Sequence, residues 1–197
     1  TKNNYGDLNF QQTEDIDFLK YEGPTDPTIT GSFGNVFSYK GFRLNVFITY
    51  SAGNKIRLDP MFHSSYTDLD ATPKDFKNRW MVPGDEKYTT IPTIASVRDT
   101  KKYGNMSYGY NAYNYSSIRV ADGGFIRMKE ISLSYDLPKS VLNNSFLSNA
   151  SLKLQATNLF LIYADSKLNG QDPEFFRSGG VSAPVPQQFT LTLRLGF

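Results

Sequence analysis

The 197-residue chain has no cysteine and a single histidine, His63. Without cysteine it can form neither a disulfide framework nor a zinc–thiolate site, and it has no thiol nucleophile. One histidine cannot form a histidine cluster. These absences exclude most familiar catalytic and metal chemistry, so we expect no cofactor and no metal.

The chain also has little net charge and no long apolar run. Its 21 Lys and Arg nearly balance 19 Asp and Glu, for a formal charge of +2. No basic cluster is interleaved with aromatic residues on a helical pattern, so nucleic acid is not an expected partner. No run of 18 apolar residues exists, which excludes a transmembrane helix. Without a distinctive carboxylate pair or a glycine-rich phosphate loop, we expect that the chain is not an enzyme.

Aromatic residues, in contrast, are abundant: 13 Tyr, 15 Phe and one Trp. Many of them lie in segments where apolar and polar residues alternate, the pattern of a β-strand with two unlike faces. In one segment the alternation breaks, because Arg127 and Lys129 share the phase of Ile131 and Leu133. The predicted strands are 33–39, 42–50, 125–135, 151–157 and 189–197.

The connections between these strands alternate in length, which favours a membrane barrel. The Lys40–Gly41 turn is short, whereas about 70 residues separate the second and third strands. Short turns on one side and long loops on the other are typical of outer-membrane barrels. Arg43, Lys153 and Arg194 on the polar face suit a water-filled lumen. Since five strands cannot close a barrel, the chain is predicted to be part of a larger one.

The alternative is a soluble β-sandwich that binds carbohydrate on aromatic-rich loops, because sandwich strands alternate in the same way. Tyrosines near the predicted strand ends favour the membrane barrel, since amphipathic rings mark membrane interfaces. The start of the chain has neither an initiating Met nor a signal-peptide pattern, which indicates a cut or mature end.

Several motifs resemble a known family. They occur in the family's order across nearly the whole chain: 29–42 (ITGSFGNVFSYKGF), 79–80 (RW), 83–86 (PGDE), 91–92 (IP), 122–129 (DGGFIRMK), 137–140 (LPKS), 157–160 (TNLF), 172–174 (DPE) and 186–189 (PQQF). Together they resemble the C-terminal part of SusC/RagA-type TonB-dependent outer-membrane transporters of the Bacteroidota.

The resemblance implies that residues 1–197 are about the last five strands of a 22-stranded outer-membrane barrel with long extracellular loops. It also implies an N-terminal plug domain that this chain lacks, through which TonB would act. The expected partners are a SusD-like surface lipoprotein that serves as a lid, the barrel-assembly machinery, outer-membrane lipid, and a glycan or peptide substrate. Many relatives have a calcium-like loop before the first strand, but residues 7–17 lack the glycine such a loop needs, so no metal is expected there.

Two sets of residues are candidate sites. The last strand has an apolar stripe that the resemblance identifies as a barrel-assembly signal, although it also fits an ordinary strand packed against lipid: Phe189, Leu191, Leu193, Leu195 and Phe197. Rings of the 53–122 connection are candidates to contact substrate or lid, because exposed rings offer flat apolar area with a polar handle; the alternative is that they pack this long loop against itself. They are Trp80, Tyr103, Tyr108, Tyr110 and Tyr113.

The last long loop contains four oxygen ligands, Asp165, Asn169, Asp172 and Glu174, of the type that calcium prefers. Their spacing matches no defined calcium motif, so a metal is not expected here either.

Overall fold

A computed structural model describes residues 17, 19–62, 72–104, 106–143, 146–176 and 183–197. Two compact units divide the chain, and each is described by itself. The loop unit comprises Thr1–Glu22 and Arg57–Ala121, and the sheet unit comprises Gly23–Ile56 and Asp122–Phe197. His63 and all but one residue of 7–17 lie outside the described residues.

The described residues form seven strands: β1 (Ile29–Tyr39), β2 (Phe42–Ala52), β3 (Lys55–Arg57), β4 (Val120–Asp122), β5 (Phe125–Asp136), β6 (Asn149–Ala164) and β7 (Gln188–Gly196). The five long strands form one antiparallel sheet in the order β1-β2-β5-β6-β7, while β3 pairs with β4. All five predicted strands are therefore confirmed. A single five-stranded sheet is not the pair of packed sheets that a sandwich requires.

The β1–β2 connection is a two-residue hairpin. Lys40 and Gly41 both have positive φ, 45° and 86°, as a type I′ turn requires. This turn twists in the same sense as the flanking strands, and it aligns Tyr39 with Phe42 and Phe33 with Ile48. The hairpin thereby places the aromatic residues of β1 on the apolar face of β2.

A β-bulge resolves the break in alternation that the sequence shows in β5. Phe47 pairs with Glu130 but Ile48 pairs with Met128, so Lys129 is an extra residue in the ladder. The extra residue returns Met128 and Ile126 to the apolar face, opposite Ile48 and Tyr50. Arg127 consequently pairs with Thr49 on the polar face.

The neighbouring strand β6 is longer than predicted, because it continues through a second irregularity. Asn158 has φ 53° and, with Leu159, is skipped between the pairs Thr157–Glu130 and Phe160–Met128. Asparagine adopts this left-handed conformation at less cost than most residues. The strand then runs on to Ala164, beyond the point where the alternating pattern stops.

The loop unit contains two short helices, α1 (Val97–Tyr103) and α2 (Ser107–Tyr115), and 3-10 turns at Lys74–Asn78, Asp85–Lys87 and Ser117–Arg119. Ser96 caps α1 by accepting a hydrogen bond from Asp99 N. The sheet unit adds α3 (Lys139–Leu142) and a 3-10 turn at Ser166–Leu168. Among the described residues, no helix is long and apolar enough to span a bilayer.

The 83–86 motif forms a local cap within the loop unit. Gly84 has φ 108°, and Asp85 Oδ2 accepts hydrogen bonds of 3.0 Å from both Met81 N and Val82 N. These bonds stabilise the carboxylate and lower the pKa of Asp85.

Candidate functional site

The apolar face of the sheet is exposed across all five long strands. Cross-strand rows such as Leu44–Leu133–Leu154–Leu191 show how the register brings apolar residues together. Fifteen large residues of this face or its edges are between 41% and 73% exposed: Phe33, Phe37, Tyr39, Phe42, Tyr50, Leu133, Leu152, Leu154, Phe160, Ile162, Tyr163, Phe189, Leu191, Leu193 and Leu195. A continuous apolar surface of this extent marks a contact with lipid or protein.

Tyrosines of this face lie at its two ends. Tyr39, Phe42 and Tyr135 lie at the short-turn end, where the rings of Phe42 and Tyr135 are 4.3 Å apart. Tyr50 and Tyr163 lie at the long-loop end. The rows between them hold aliphatic residues and phenylalanine, so tyrosine marks both ends of an apolar band, the pattern of a strand wall that crosses a bilayer.

The opposite face is mostly polar and partly paired. Asn45 Nδ2 donates to Glu130 Oε1 at 3.2 Å, and an Arg43 nitrogen lies 3.4 Å from Asp136 Oδ2. Lys153 and Arg194 lie on this face in β6 and β7, as expected for residues facing water.

Arg127 anchors the loop that follows β6 to this polar face. One guanidinium nitrogen donates to both carboxylate oxygens of Asp172 at 2.5 Å, and Nε lies 3.2 Å from Glu174 Oε2. The side chains of Arg127 and Asp172 are 5% and 6% exposed. A buried guanidinium with two carboxylates is strongly held, because losing either partner leaves a charge out of water. The 172–174 motif thus attaches this loop to the wall.

A second polar cluster lies where β4 leads into β5. Asp122 Oδ1 accepts from Gly124 N at 2.8 Å, Lys55 Nζ lies 3.2 Å from its Oδ2, and Asp122 N donates to Asp165 Oδ2 at 2.7 Å. The bond from Gly124 and the ion pair with Lys55 lower the pKa of Asp122, although its partial burial opposes them. Gly123 allows the close approach here, because a Cβ would collide with the Asn54 side chain.

Three of the four candidate calcium ligands of the last loop are bonded to protein groups in these two clusters. Asp172 and Glu174 pair with Arg127, and Asp165 also accepts from Lys167 N at 2.9 Å. Across the residues that the structure describes, no group of three or more acidic or histidine side chains is placed to hold a metal.

A cavity of about 700 Å³ opens on the polar face at the long-loop end. Its lining combines hydroxyl groups, three phenylalanine rings, two lysines and two carboxylates; Phe47, Phe125, Phe176, Lys129 and Glu174 are among the lining residues. Such a mixed surface can contact both apolar and polar parts of a solute.

The core of the loop unit is built on Met61, Phe62 and Tyr113, with Phe76, Ile91 and Tyr110 packed around it. The Asn114 side chain joins helix α2 to the backbone of Met61 and Phe62. Its Oδ1 accepts from Met61 N at 2.9 Å and Phe62 N at 3.2 Å, and its Nδ2 donates to Phe62 O at 2.8 Å.

Two of the five candidate contact rings belong to this core. Tyr113 is only 9% exposed, and its burial raises the pKa of its hydroxyl. The Tyr110 ring stacks on Phe62 at 4.5 Å, and its hydroxyl donates to Thr93 O at 3.1 Å and accepts from Ala95 N at 2.5 Å. These two rings therefore pack the loop unit, the alternative role considered for them.

The other three candidate rings have more accessible surface. Tyr103 is 41% exposed at the end of α1, and Trp80 and Tyr108 are half-buried. Contact of these residues with substrate or lid stays a prediction, for which the three more accessible rings are the better candidates.

The predicted assembly stripe lies in the edge strand β7. Phe189, Leu191, Leu193 and Leu195 are opposite Ala156, Leu154, Leu152 and Ala150 of β6. Phe197 follows the strand, is 81% exposed, and stacks on Phe146 with ring centroids 5.7 Å apart. The stripe is accessible to a partner or to lipid, and its role as a signal stays a prediction.

Sequence reasoning missed two polar residues that have several partners each, Arg127 and Asn114. Arg127 was visible only as a break in alternation. The bulge at Lys129, which turns Arg127 to the polar face, depends on the pairing of β5 with β2. Asn114 was visible only as part of an Asn-Tyr-Ser triplet, which matches a glycosylation sequon, whereas the residue is 5% exposed and its side chain makes three hydrogen bonds. A polar residue inside an aromatic-rich helix was the available signal for Asn114.

Comparison with known proteins agrees with this geometry. No family model matches the sequence. The chain is 28% identical over 155 residues to TonB-dependent receptor P3 of Formosa agariphila, which covers 79% of the chain and 14% of the receptor. It is 26% identical over 183 residues to receptor P39 of the same organism, covering 91% of the chain and 16% of the receptor. The chain thus spans about a sixth of the length of these relatives.

Solved structures show the same fold. A chain of the RagAB peptide importer in its 'open-open' state superposes with a TM-score of 0.63 at 22% identity, over 94% of this chain and 19% of that chain. Another, from the RagAB peptide transporter, gives 0.61 at 24% identity over 91% and 18%. The sheet unit is therefore a barrel-wall segment of the kind found in these importers. The chain is a homologue of TonB-dependent receptors, as its SusC/RagA-type motifs predicted.

Proposed function

We propose that the chain is part of a TonB-dependent outer-membrane transporter that imports oligosaccharides or peptides together with a SusD-like lipoprotein. This segment would form part of the barrel wall, the outer loops and the strand recognised by the barrel-assembly machinery. The observation that carries the proposal is the sheet with one exposed apolar face, belted by aromatic rings, and one polar face. Its role is to hold the pore and shape its mouth, which requires no bond-making chemistry.

The wall proposal is tested on the full-length protein. It should extract from bacterial outer membranes only with detergent, and it should migrate differently on SDS gels with and without boiling. We expect this behaviour because a closed barrel pairs every backbone group and therefore resists SDS until it is heated. Monodisperse, detergent-free solution behaviour of residues 1–197 would contradict the proposal and favour a soluble carbohydrate-binding module.

TonB would act through the part of the transporter that precedes this segment, as the resemblance implies. No residue of this chain is assigned a role in energy coupling. Deleting a TonB-binding segment upstream should abolish import while leaving the amount of heat-modifiable barrel unchanged.

The stripe from Phe189 to Phe197 is proposed to direct assembly. Deleting Phe197 from the full-length transporter should lower its outer-membrane level severalfold, measured against total synthesis. Thr192→Ala, on the polar face of the same strand, is the matched control. Unchanged insertion of the deletion variant would refute the assignment.

The accessible rings of the loop unit are proposed to contact the lid or the substrate. Tyr103→Ala should weaken binding of the lipoprotein or of the imported ligand in the purified transporter, because the flat face of an exposed ring is lost. Tyr113, which is 9% exposed in the same unit, supplies the control Tyr113→Phe, which keeps the packed ring. Equal affinities for both variants and the parent would remove Tyr103 from the site.

A further inference from the structure

Three cations gather on the polar face at the short-turn end of the sheet. The register places Arg43 opposite Ser134, and Ser134 opposite Lys153, in one cross-strand row. The next row on this face contains Asp136, Ser151 and Arg194. Lys153 and Arg194 are diagonal neighbours on adjacent strands, a separation of about 7–8 Å between backbones.

These side chains surround a cavity of about 310 Å³, here called the basic hollow. Ser132, Ser134 and Ser151 line it, and such short side chains leave room between the longer cations. Their hydroxyls can donate hydrogen bonds to an anion. The lining residues are Val36, Arg43, Asn45, Ser132, Ser134, Asp136, Ser151, Lys153 and Arg194.

The positive charge of the basic hollow is poorly compensated within the chain. Asp136 is its one carboxylate, and its pair with Arg43 is more than half exposed on both sides, so it contributes little. Within the described residues, neither the Lys153 ammonium nor the Arg194 guanidinium forms a hydrogen bond or an ion pair. Like charges at this spacing repel each other, and an anion between them would remove that repulsion.

We propose that the basic hollow binds carboxylate side chains from another part of the same polypeptide. The chain spans only 14% and 16% of its receptor relatives, so most of the transporter is available to supply the partner. The polar face of a barrel wall is directed inward, where a segment of the same protein can reach it. This inference rests on the proposed function, because only a closed wall directs this face inward.

The test uses the full-length transporter in outer-membrane vesicles, treated with a water-soluble carbodiimide. This reagent joins an amine to a carboxylate in direct contact as an amide, with net loss of water. Mass spectrometry should find Lys153 joined to an Asp or Glu outside residues 1–197 of the same polypeptide. The yield should fall several-fold from 50 mM to 1 M NaCl, because salt screens the attraction.

Matched variants identify the source of the cross-link. Lys153→Arg keeps the charge but removes the reactive amine, so it should abolish the cross-link without lowering the barrel level. Lys139→Arg, in α3 beyond β5, should leave the cross-link unchanged.

Three results would overturn the inference: Lys153 joined only to Asp136, Lys153 joined to substrate or to a separate protein, or an unmodified Lys153. If the transporter is heat-modifiable and any of these results is found, the proposed function is unaffected and only the anion-binding role of the basic hollow is refuted. Loss of heat-modifiability in the parent protein would count against the proposed function itself.

Discussion

Arg127 combines deep burial with two carboxylate partners, which makes its removal costly. Arg127→Met should lower the free energy of unfolding by about 3–5 kcal/mol, because Asp172 would keep a buried charge without a cation. The measurement is protease cleavage of the loop around residues 172–176 in the folded transporter, together with the thermal midpoint.

The exposed pair at the other end of the sheet supplies the control for Arg127. Arg43→Met should lower stability by less than Arg127→Met does, because the side chains of Arg43 and Asp136 are both more than half exposed within this chain. If both variants had the same small effect, the anchor role of Arg127 would be refuted.

Asn114 presents a similar case inside the loop unit. Asn114→Ala removes three hydrogen bonds and leaves the backbone groups of Met61 and Phe62 unpaired, at about 1–3 kcal/mol for each buried group. Limited proteolysis should cut the loop unit faster in this variant than in Asn111→Ala, a control on the same helix. Equal cleavage rates would contradict the proposed role of Asn114.

The lowered pKa of Asp122 should make the stability of the protein depend on pH. Its pKa is lowered in the folded protein from an ordinary value of 3.8. The stability that the ionised Asp122 carboxylate contributes is therefore fully present above pH 3.8. The contribution is lost as the pH falls through the lower, folded pKa. The thermal midpoint of the parent minus that of Asp122→Asn should stay constant from pH 7 to 5 and shrink below about pH 4. If the difference between the two thermal midpoints grew on acidification, the pKa of Asp122 would be raised on folding and not lowered.

At the scale of secondary-structure elements, irregularities in the ladders determine which side chains face which side of the sheet, and one of them is Ile162, an extra residue between the pairs Arg127–Leu161 and Ile126–Tyr163. The extra Lys129 in β5 moves Arg127 to the polar face, and the skipped pair at Asn158 lets β6 continue past its alternating region. Alternation alone predicted the existence of all five strands. It could not predict the bulges, because they depend on the strand paired alongside.

The left-handed residue in β6 offers a test of its irregularity. Asn158→Val should destabilise the barrel by about 1–2 kcal/mol, since a β-branched residue disfavours φ 53°, whereas Asn158→Gly should be tolerated. Thr157→Val, one residue earlier in ordinary extended backbone, is the control. The thermal midpoint of the heat-modifiable band measures each effect, and equal midpoints for the Val and Gly variants would contradict the assignment.

At the scale of the whole molecule, the decisive feature is the pair of unlike faces of one sheet. Leu154 is 60% exposed on the apolar face, and Gln155, the next residue, is on the polar face. Leu154→Lys should destabilise the membrane-inserted transporter by about 2–4 kcal/mol, because a cation would enter hydrocarbon. Gln155→Lys should have little effect.

Denaturant unfolding in phosphatidylcholine vesicles compares these two variants directly. Similar stabilities would show that the apolar face is not in lipid. A larger loss for Gln155→Lys would reverse the assignment of the two faces.

The sequence by itself determined the class of the chain: five alternating strands, an uneven set of connections, and motifs that resemble TonB-dependent transporters. Those properties are local, since each follows from the spacing of residues within one segment or from short motifs. Only the tertiary structure decided that Arg127 holds Asp172, that Asn114 and Tyr113 form the core of the loop unit, and that Arg43, Lys153 and Arg194 surround one hollow. Each of these depends on which strand or loop lies alongside, and the partners are distant in the chain: 45 residues for Arg127 and Asp172, and 52 for Phe62 and Asn114.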